Sequence, residues 1–173
     1  CVSCKKSTEV KQIFCMPGNA GTEQISKNVL IDLDNFEEIV KFLKKNNIDL
    51  VIVGPEKPLV DGIVDFLEKN KIKVFGPDKI ASKLEGSKIF TKKLCQKYKI
   101  PTANFGIFNT SQDANDFIEN CKLPIVVKAD GLASGKGVYI CNKKEEALIA
   151  IKEIFNGKFG LAKEILIEEF LNG

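Results

Sequence analysis

Length, composition and charge exclude several classes of function. The chain has 173 residues, enough for one full domain or two small ones, and a formal net charge of +3. Its basic residues, all lysines, are spread along the chain, so we expect no nucleic-acid partner. The absence of histidine excludes histidine-dependent nucleophilic catalysis and histidine metal ligands in this stretch. No apolar run approaches the roughly 18 residues of a membrane span, and no signal peptide opens the chain. We therefore expect a cytoplasmic protein without a membrane partner.

The cysteines predict reduced thiols rather than a disulfide framework. Six of them stand at positions 1, 4, 15, 95, 121 and 141. A chain of this length without a secretory signal does not need disulfides for its stability. Cys1 and Cys4 have the spacing of half a zinc site or of a redox pair, but no second close pair follows them. Packing of these side chains against helices is the favoured interpretation.

The first half of the chain alternates short strands with amphipathic helices, after the end of a helix over residues 1–10. The predicted strands are Gln12–Cys15, Asp49–Val53 and Lys73–Phe75. Apolar residues at helical spacing predict two helices between them, the first with Phe36, Ile39, Val40 and Leu43, the second with Leu59, Ile63, Phe66 and Leu67 and an end near Asn70. Asp34, with Glu37 three residues later, is the predicted N-cap of the first. Alternation of this kind predicts βαβ units and a parallel sheet.

Three turns rich in glycine and proline follow the predicted strands: Pro17–Gly21, Gly54–Leu59 and Gly76–Asp78. In a parallel sheet, ligands bind at the carboxyl ends of the strands, where these turns fall. Asn19 and Glu56 stand beside exposed amides in the first two turns. For these two, a polar ligand and ordinary turn chemistry both stay open, whereas ordinary turn chemistry is favoured for the third.

The second half predicts antiparallel strands with helices, an α+β unit. Ser87 is the predicted cap of a helix whose apolar positions are Ile89, Phe90 and Leu94. The helix also carries Lys88, Lys92 and Lys93, of which we expect two to be solvated. The further elements predicted are a strand over Asn104–Phe108, a helix with Ala114, Phe117, Ile118 and Cys121 on one face, a hairpin of Ile125–Val127 and Val138–Ile140, a helix with Ala147, Ile151, Ile154 and Phe155, and a strand over Glu164–Glu169.

The loop of the predicted hairpin has the composition of a phosphate-binding loop. It contains Gly131, Gly135 and Gly137, and it is flanked by Lys128 and Lys136. Glycines allow a ligand to approach bare N–H groups, and the two ammonium groups add positive charge. A Walker A loop is excluded, because here Gly-Lys-Gly leads into a strand and not into a helix. A glycine-rich hairpin with surface lysines remains the alternative interpretation.

Five motifs follow one another along the chain: Pro17–Thr22 (PGNAGT), Gly54–Leu59 (GPEKPL), Leu84–Lys88 (LEGSK), Ile100–Ala103 (IPTA) and Val126–Gly137 (VVKADGLASGKG). A strand ending in Ile167–Leu171 (IEEFL) comes after them. In type, order and spacing, over essentially the whole chain, they resemble the phosphoribosylamine–glycine ligase (glycinamide ribonucleotide synthetase) family of the ATP-grasp superfamily.

The resemblance implies an α/β fold in three parts. Residues 1–86 would form an N-terminal parallel-sheet, Rossmann-like pre-ATP-grasp domain whose start is missing. Residues 87–103 would form a linking helix and the entry to the ATP-grasp region, and residues 104–173 its lid subdomain with antiparallel strands. The metal-binding half of the ATP-grasp fold would lie beyond residue 173, so we expect this stretch alone to be inactive.

The resemblance also implies a reaction in purine biosynthesis. ATP would phosphorylate the carboxylate of glycine, and the amine of 5-phosphoribosylamine would attack the glycyl phosphate, which gives glycinamide ribonucleotide, ADP and phosphate. The implied partners are thus these small molecules. The family's ATP contacts would fall on Lys92, Lys128, Gly131, Gly135, Lys136, Gly137, Glu168, Glu169 and Leu171, with Gly131–Gly137 as a mobile loop over the phosphates and Glu168–Leu171 at the adenine edge. The phosphoribosylamine contacts would fall on Pro17, Gly18, Asn19, Gly21, Gly54, Pro55 and Glu56.

Two departures limit what the resemblance assigns. The family's Mg²⁺ or Mn²⁺ ligands and its glycine-binding residues would lie beyond residue 173, so no metal ligand and no catalytic residue is assigned in this stretch.

Another ATP-grasp carboxylate–amine ligase is an alternative, although the Pro17–Thr22 and Gly54–Leu59 motifs argue against it. A non-catalytic nucleotide-binding module is the other alternative, since a sensor could keep the same lysines.

Overall fold

The computed structural model describes residues 1–132, 136–160 and 163–172. The chain divides into two compact units, Cys1–Lys79 and Ile80–Gly173. The described part of the first unit contains helices α1 (Val2–Lys5), α2 (Ala20–Glu23), α3 (Phe36–Lys45), α4 (Glu56–Asp61) and α5 (Ile63–Lys69), and strands β1 (Phe14–Cys15), β2 (Lys27–Asn28), β3 (Val51–Ile52) and β4 (Val74–Phe75). That of the second unit contains helices α6 (Lys83–Gly86), α7 (Lys88–Tyr98), α8 (Ser111–Glu119) and α9 (Lys144–Phe155), and strands β5 (Phe105–Phe108), β6 (Ile125–Ala129), β7 (Val138–Cys141) and β8 (Ile165–Glu169).

The strands of the first unit are parallel, as predicted, and those described pair as two sheets. Strand β1 pairs with β2, and β3 pairs with β4. The core of this unit is formed by the predicted apolar faces: Ile39, Val40 and Leu43 of α3 are buried against residues of α5, among which Leu67 has no exposed surface. Burial of these side chains supplies the main favourable free energy of the unit.

Two local expectations for the first unit are wrong. The N-cap of α3 is Asn35, whose side chain accepts a hydrogen bond from the Glu38 amide, and not Asp34, whose carboxylate accepts from Lys57. The single helix predicted between Gly54 and Asn70 is two helices, because Gly62 between them has a φ of +98° and ends the first one. Such a φ interrupts a right-handed helix, and glycine adopts it without strain from a Cβ.

The second unit is a four-stranded antiparallel sheet with the strand order β5-β8-β6-β7. Helices α8 and α9 cover one face, where residues such as Ala114, Ile151, Val127 and Ile167 form a fully buried core. Because side chains alternate along a strand, Lys128 of β6 and Glu168 of β8 lie on the opposite face. Among the described residues, no helix has the length and apolar character required to cross a membrane.

Candidate functional site

A lysine and a glutamate meet on the face of the sheet that α8 and α9 leave uncovered. In the antiparallel register of β6 and β8, Lys128 stands opposite Leu166, and Glu168 stands opposite Val126. Lys128 and Glu168 are therefore diagonal neighbours on one face, within reach of long side chains. The ammonium group of Lys128 contacts Oε1 of Glu168 directly.

A second lysine reaches the same carboxylate from helix α7. The Nζ of Lys92 lies 2.6 Å from Oε2 of Glu168 and 2.6 Å from Oγ1 of Thr102, and it donates to the carbonyl oxygen of Ala103 at 3.4 Å. The contacts with Thr102 and Ala103 are hydrogen bonds, and the contact with Glu168 is an ion pair. Lys92 is thus fixed by contacts with the protein itself.

The cluster of Lys92, Lys128 and Glu168 is largely shielded from water. The side chain of Glu168 is 8% exposed, that of Lys92 12% and that of Lys128 24%. Burial by itself opposes ionisation of Glu168, but the hydrogen bonds and charges of Lys128 and Lys92 outweigh it and hold its pKa below the ordinary glutamate value. Two ammonium groups and one carboxylate leave the cluster with a net charge of +1. Lys128 is the most exposed member of the cluster.

Asp130 connects the start of the glycine loop to the N-terminus of α7. Its carboxylate accepts hydrogen bonds from Oγ of Ser87 at 2.9 Å and from the amide of Ile89 at 3.1 Å. Ser87 is the N-cap of α7, as predicted, because its Oγ accepts a hydrogen bond from the amide of Phe90. Lys88 adds a further link, because its ammonium group donates to the carbonyl oxygen of Gly131 at 3.0 Å. The carboxylate of Asp130 and the hydroxyl group of Ser87 thus accept hydrogen bonds from amides of the first turn of α7. Together with the Lys88 contact, they anchor the glycine loop at its first residues.

The distribution of the helix lysines differs from the expectation that two of three would be solvated. Lys93 is exposed, whereas Lys88 and Lys92 are partly buried. The reason is tertiary: a carbonyl group of the glycine loop accepts a hydrogen bond from Lys88, and a carboxylate of β8 forms an ion pair with Lys92. Charge patterning along a helix does not reveal acceptors that other elements supply.

The glycine loop is described at its two ends. Gly131 has a φ of +92°, and a Cβ built there would meet no atom of the described residues within 4 Å, so the described backbone leaves that side open to close approach. At the other end, Gly137 is buried and its carbonyl oxygen accepts from the amide of Ala129 at 2.8 Å, which continues the hairpin, whereas Lys136 is exposed. Gly135, which was expected to contact phosphate, lies outside the described residues, as does the centre of the loop that was expected to be mobile.

The end of β8 carries the residues expected at the adenine edge. The carboxylate of Glu169 accepts from the backbone amide and from the side-chain amide of Asn104, at 3.0 and 3.1 Å, and these bonds lower its pKa. The amide of Glu169 donates to the carbonyl oxygen of Asn104, which extends the pairing of β5 and β8 by one residue. Leu171, two residues beyond the strand, is 61% exposed.

The two turns of the first unit expected to contact phosphoribosylamine differ in how their polar groups are used. In the first turn, the side-chain oxygen of Asn19 accepts from the amides of Gly21 and Thr22, so it caps α2. Gly18, which follows Pro17, has a φ of +81°, and a Cβ at this position would collide with Asn28. The position therefore requires glycine. In the second turn, Pro55 is the N-cap of α4 and Glu56 its first residue, and a Cβ on Gly54 would meet no atom of the described part of the chain within 4 Å.

The described residues do not offer a carboxylate site for a divalent ion. Within residues 1–132, 136–160 and 163–172, no group of three or more His, Cys, Asp or Glu side chains is arranged to hold a metal. Asp130, the acidic residue beside the glycine loop, is engaged in capping α7. All six cysteines are free thiols, and burial raises the pKa of the Cys141 thiol.

Comparison with known proteins places these features in one family. Residues 1–85 match the family model described as phosphoribosylglycinamide synthetase, N domain, and residues 86–173 match the ATP-grasp (A) domain of the same enzyme. The curated phosphoribosylamine–glycine ligase of Clostridium acetobutylicum is 44% identical over 97% of this chain, and that of Rhodopirellula baltica is 47% identical over 98%. The chain spans 41% and 40% of the length of these two relatives.

Solved structures agree with the family models. The crystal structure of phosphoribosylamine–glycine ligase from Thermotoga maritima superposes with a TM-score of 0.78 at 30% identity, covering 99% of this chain and 41% of that chain. The D-alanine–D-alanine ligase of Bacillus anthracis shares the fold, with a TM-score of 0.67 at 24% identity, covering 86% of this chain and 47% of that chain. The lysine–glutamate cluster therefore lies in the part of the chain that matches an ATP-grasp domain, and the chain belongs to the phosphoribosylglycinamide synthetase family.

Proposed function

We propose that the complete protein joins glycine to 5-phosphoribosylamine at the expense of ATP, in purine biosynthesis, and releases glycinamide ribonucleotide, ADP and phosphate. The observation that carries the proposal is the Lys92–Glu168–Lys128 cluster beside the glycine loop, in a chain whose two halves match the two domains of that family. Phosphoryl transfer consists largely of positioning and of neutralising charge, which lysines and backbone amides perform.

Within the second unit, the proposed binding of ATP divides into a phosphate end and a base end. Lys128 and Lys92 would contact the phosphates, and Gly131, Gly135, Lys136 and Gly137 would approach them through amides and an exposed ammonium group. The carbonyl oxygen of Glu169 and the amide of Leu171 would bind the adenine edge. The open side of Gly131 and the partial exposure of Lys128 support the phosphate end.

Within the first unit, the proposed phosphoribosylamine residues are Pro17, Gly18, Asn19, Gly21, Gly54, Pro55 and Glu56. Asn19 contributes through the shape of its turn, since its side-chain oxygen is engaged in the cap of α2. Gly54 and Glu56 are exposed and leave room for a ligand beside α4.

The family implies a divalent ion, Mg²⁺ or Mn²⁺, which would neutralise phosphate charge when bound. The described residues do not fit such an ion, because the one acidic side chain at the glycine loop, Asp130, is used to cap a helix. We therefore assign no metal ligand, and no metal-dependent step of the reaction, to the described residues.

The test measures ADP release by the complete protein with Mg²⁺, glycine and freshly generated phosphoribosylamine. We expect turnover that requires both substrates, that is lost in Lys128→Ala and that is retained in Lys122→Ala, an exposed lysine on the same unit. Turnover with a different acid or amine, but not with these, would favour another ATP-grasp ligase. Binding of ATP without any amine-dependent turnover would favour a non-catalytic nucleotide-binding module.

A further inference from the structure

Two thiol groups of the first unit meet outside the site described above. The Sγ atom of Cys1 donates a hydrogen bond to the Sγ atom of Cys15, and the two sulfur atoms lie 3.9 Å apart. All six cysteines fall within the described residues, and this is the one contact between two thiols found there. The thiols of Cys121 and Cys141 donate instead to backbone carbonyl oxygens. Cys1 and Cys15 are therefore the two cysteines placed to react with each other.

The fold brings this pair together from positions 14 residues apart in the chain. Phe14 of β1 packs edge-to-face on Phe42 of α3, with the ring centres 5.3 Å apart. Because side chains alternate along a strand, Cys15 points to the opposite side of β1, where Cys1 at the N-cap of α1 meets it. The carbonyl oxygen of Cys15 accepts a hydrogen bond from the amide of Val29 at 2.9 Å, so the pairing with β2 holds the backbone of this thiol.

The two thiols differ in their access to solvent. Cys1 is exposed, and Cys15 is half-buried. The side chain of Cys1 makes no capping hydrogen bond to α1, and no residue of α1 is buried. A dissolved oxidant therefore meets the Cys1 sulfur first, and side-chain rotation can bring the Cys15 sulfur to the bonding distance of about 2 Å. Cys4, whose spacing from Cys1 is that of a redox pair, is not the thiol that Cys1 contacts in the described structure.

We propose that Cys1 and Cys15 form a reversible disulfide when the protein meets an oxidised low-molecular-weight thiol such as glutathione disulfide. The thiolate of Cys1 attacks one sulfur of glutathione disulfide, which forms a mixed disulfide and releases one glutathione thiolate. The thiolate of Cys15 then attacks the Cys1 sulfur of the mixed disulfide and releases the second glutathione thiolate. Two protein thiols are oxidised, one glutathione disulfide is reduced, and the two protons of the protein thiols pass to the two glutathione molecules.

The disulfide would join α1 to the strand that leads into the Pro17–Gly21 turn. Cys15 is the last residue of β1, and Met16 alone separates it from Pro17. The reaction requires neither ATP nor phosphoribosylamine, so the inference goes beyond the proposed function and does not rest on it. Absence of ligase turnover would leave the disulfide untouched, and absence of the disulfide would leave the ligase proposal untouched.

The experiment maps disulfides in the complete protein by mass spectrometry, without denaturant, after equilibration with glutathione disulfide and about 0.1 mM reduced glutathione. Free thiols are blocked with iodoacetamide before digestion, and cleavage after Lys11 separates Cys1 and Cys4 from Cys15. Cys15 held beside Cys1 acts at an effective concentration of the order of 1 mM or more, so we expect the cross-link to exceed the mixed disulfide of Cys1 about tenfold. A predominant mixed disulfide, or a Cys1 thiol that stays reduced, would overturn the inference.

Serine variants assign the two roles. Cys4→Ser is the matched control and should keep the cross-link; its loss, or fragment ions that place the bond on Cys4, would contradict the pairing. Cys15→Ser should accumulate the mixed disulfide of Cys1 with glutathione, and an unmodified Cys1 would show that this thiol does not attack first. If Cys15→Ser does not fold, Cys1→Ser at the exposed position answers the same question: Cys15 should then form little mixed disulfide, and rapid modification of Cys15 would refute the order of attack.

Discussion

Replacing Lys128 by alanine removes the most exposed positive charge of the lysine–glutamate cluster. The ammonium group lies at the end of a buried strand, with its side chain 24% exposed, so its direction is set by β6 and by Glu168. The substitution lowers the net charge of the cluster from +1 to 0, because Lys92 and Glu168 remain and cancel. The site then has no surplus charge for an anion.

The magnitude follows from the contact that is lost. A hydrogen bond between charged partners contributes about 1.5–3 kcal/mol, which corresponds to a loss of roughly ten- to a hundredfold in ATP affinity. Lys128 is partly hydrated, so we expect a value in the lower half of that range. The variant should still fold, because Glu168 keeps Lys92 as its partner and is not left as an unpaired buried charge.

Titration calorimetry of ATP against the complete protein measures the effect. Lys122→Ala and Lys143→Ala are the matched controls, because both lysines are exposed and belong to the same unit. They should bind ATP like the wild type. If all three variants lost the same affinity, or if Lys128→Ala lost none, the assignment of Lys128 to the phosphates would be wrong.

Three further outcomes are expected. Asp130→Ala should lower the free energy of unfolding by about 1 kcal/mol, the typical effect of a lost helix cap, as measured by denaturant titration, and the control Asp116→Ala should cost less; equal costs would contradict the capping role. Because the pKa of Glu168 is lower in the folded protein than its ordinary 4.5, the stabilisation is complete above pH 4.5 and is lost as the pH falls through the folded pKa. Thermal unfolding of Glu168→Gln should accordingly depend less on pH in that acidic range than unfolding of the wild type, and identical pH dependence would contradict the ion pairs. Cys141, which is buried and has a raised thiol pKa, should react with iodoacetamide more slowly than the exposed Cys1, as mapped by mass spectrometry; equal rates would contradict its burial.

Elements with strong periodicity could be predicted from the sequence, and contacts between distant elements could not. The hairpin, the face of α9 and the cap at Ser87 are confirmed, because each depends on residues close together in the chain. On α8, Ala114 and Ile118 are buried as predicted, whereas Phe117 is 37% exposed and Cys121 lies beyond the end of the helix. Strand β2, with only two residues and no alternation of polar and apolar side chains, gave no signal. The choice of Asp34 over Asn35 as a cap failed because both residue types cap helices well, and Lys57 competes for the aspartate.

The sequence indicated which residues belong to the candidate site, but not the contacts between their side chains. Lys92, Lys128 and Glu168 were selected through their places in family motifs, and the structure brings their side chains together. Their contact depends on the pairing of β6 with β8, a register that neither strand specifies alone. The role of Asp130 was missed for the same reason, since its partner Ser87 is 43 positions away in the sequence.

The strand order β5-β8-β6-β7 has a consequence for biosynthesis of the protein. Strand β8 is the last of the four in the chain, yet it lies between β5 and β6 and is hydrogen-bonded to both. While the ribosome is still synthesising residues 165–169, strand β5 has no partner and β6 exposes one unpaired edge to other nascent chains. The sheet, and with it the meeting of Lys92 and Lys128 across Glu168, can form only after that strand has left the exit tunnel. A chain interrupted shortly before residue 165 would therefore carry both lysines, the glycine loop and two open sheet edges, and we expect such a product to aggregate rather than to bind nucleotide.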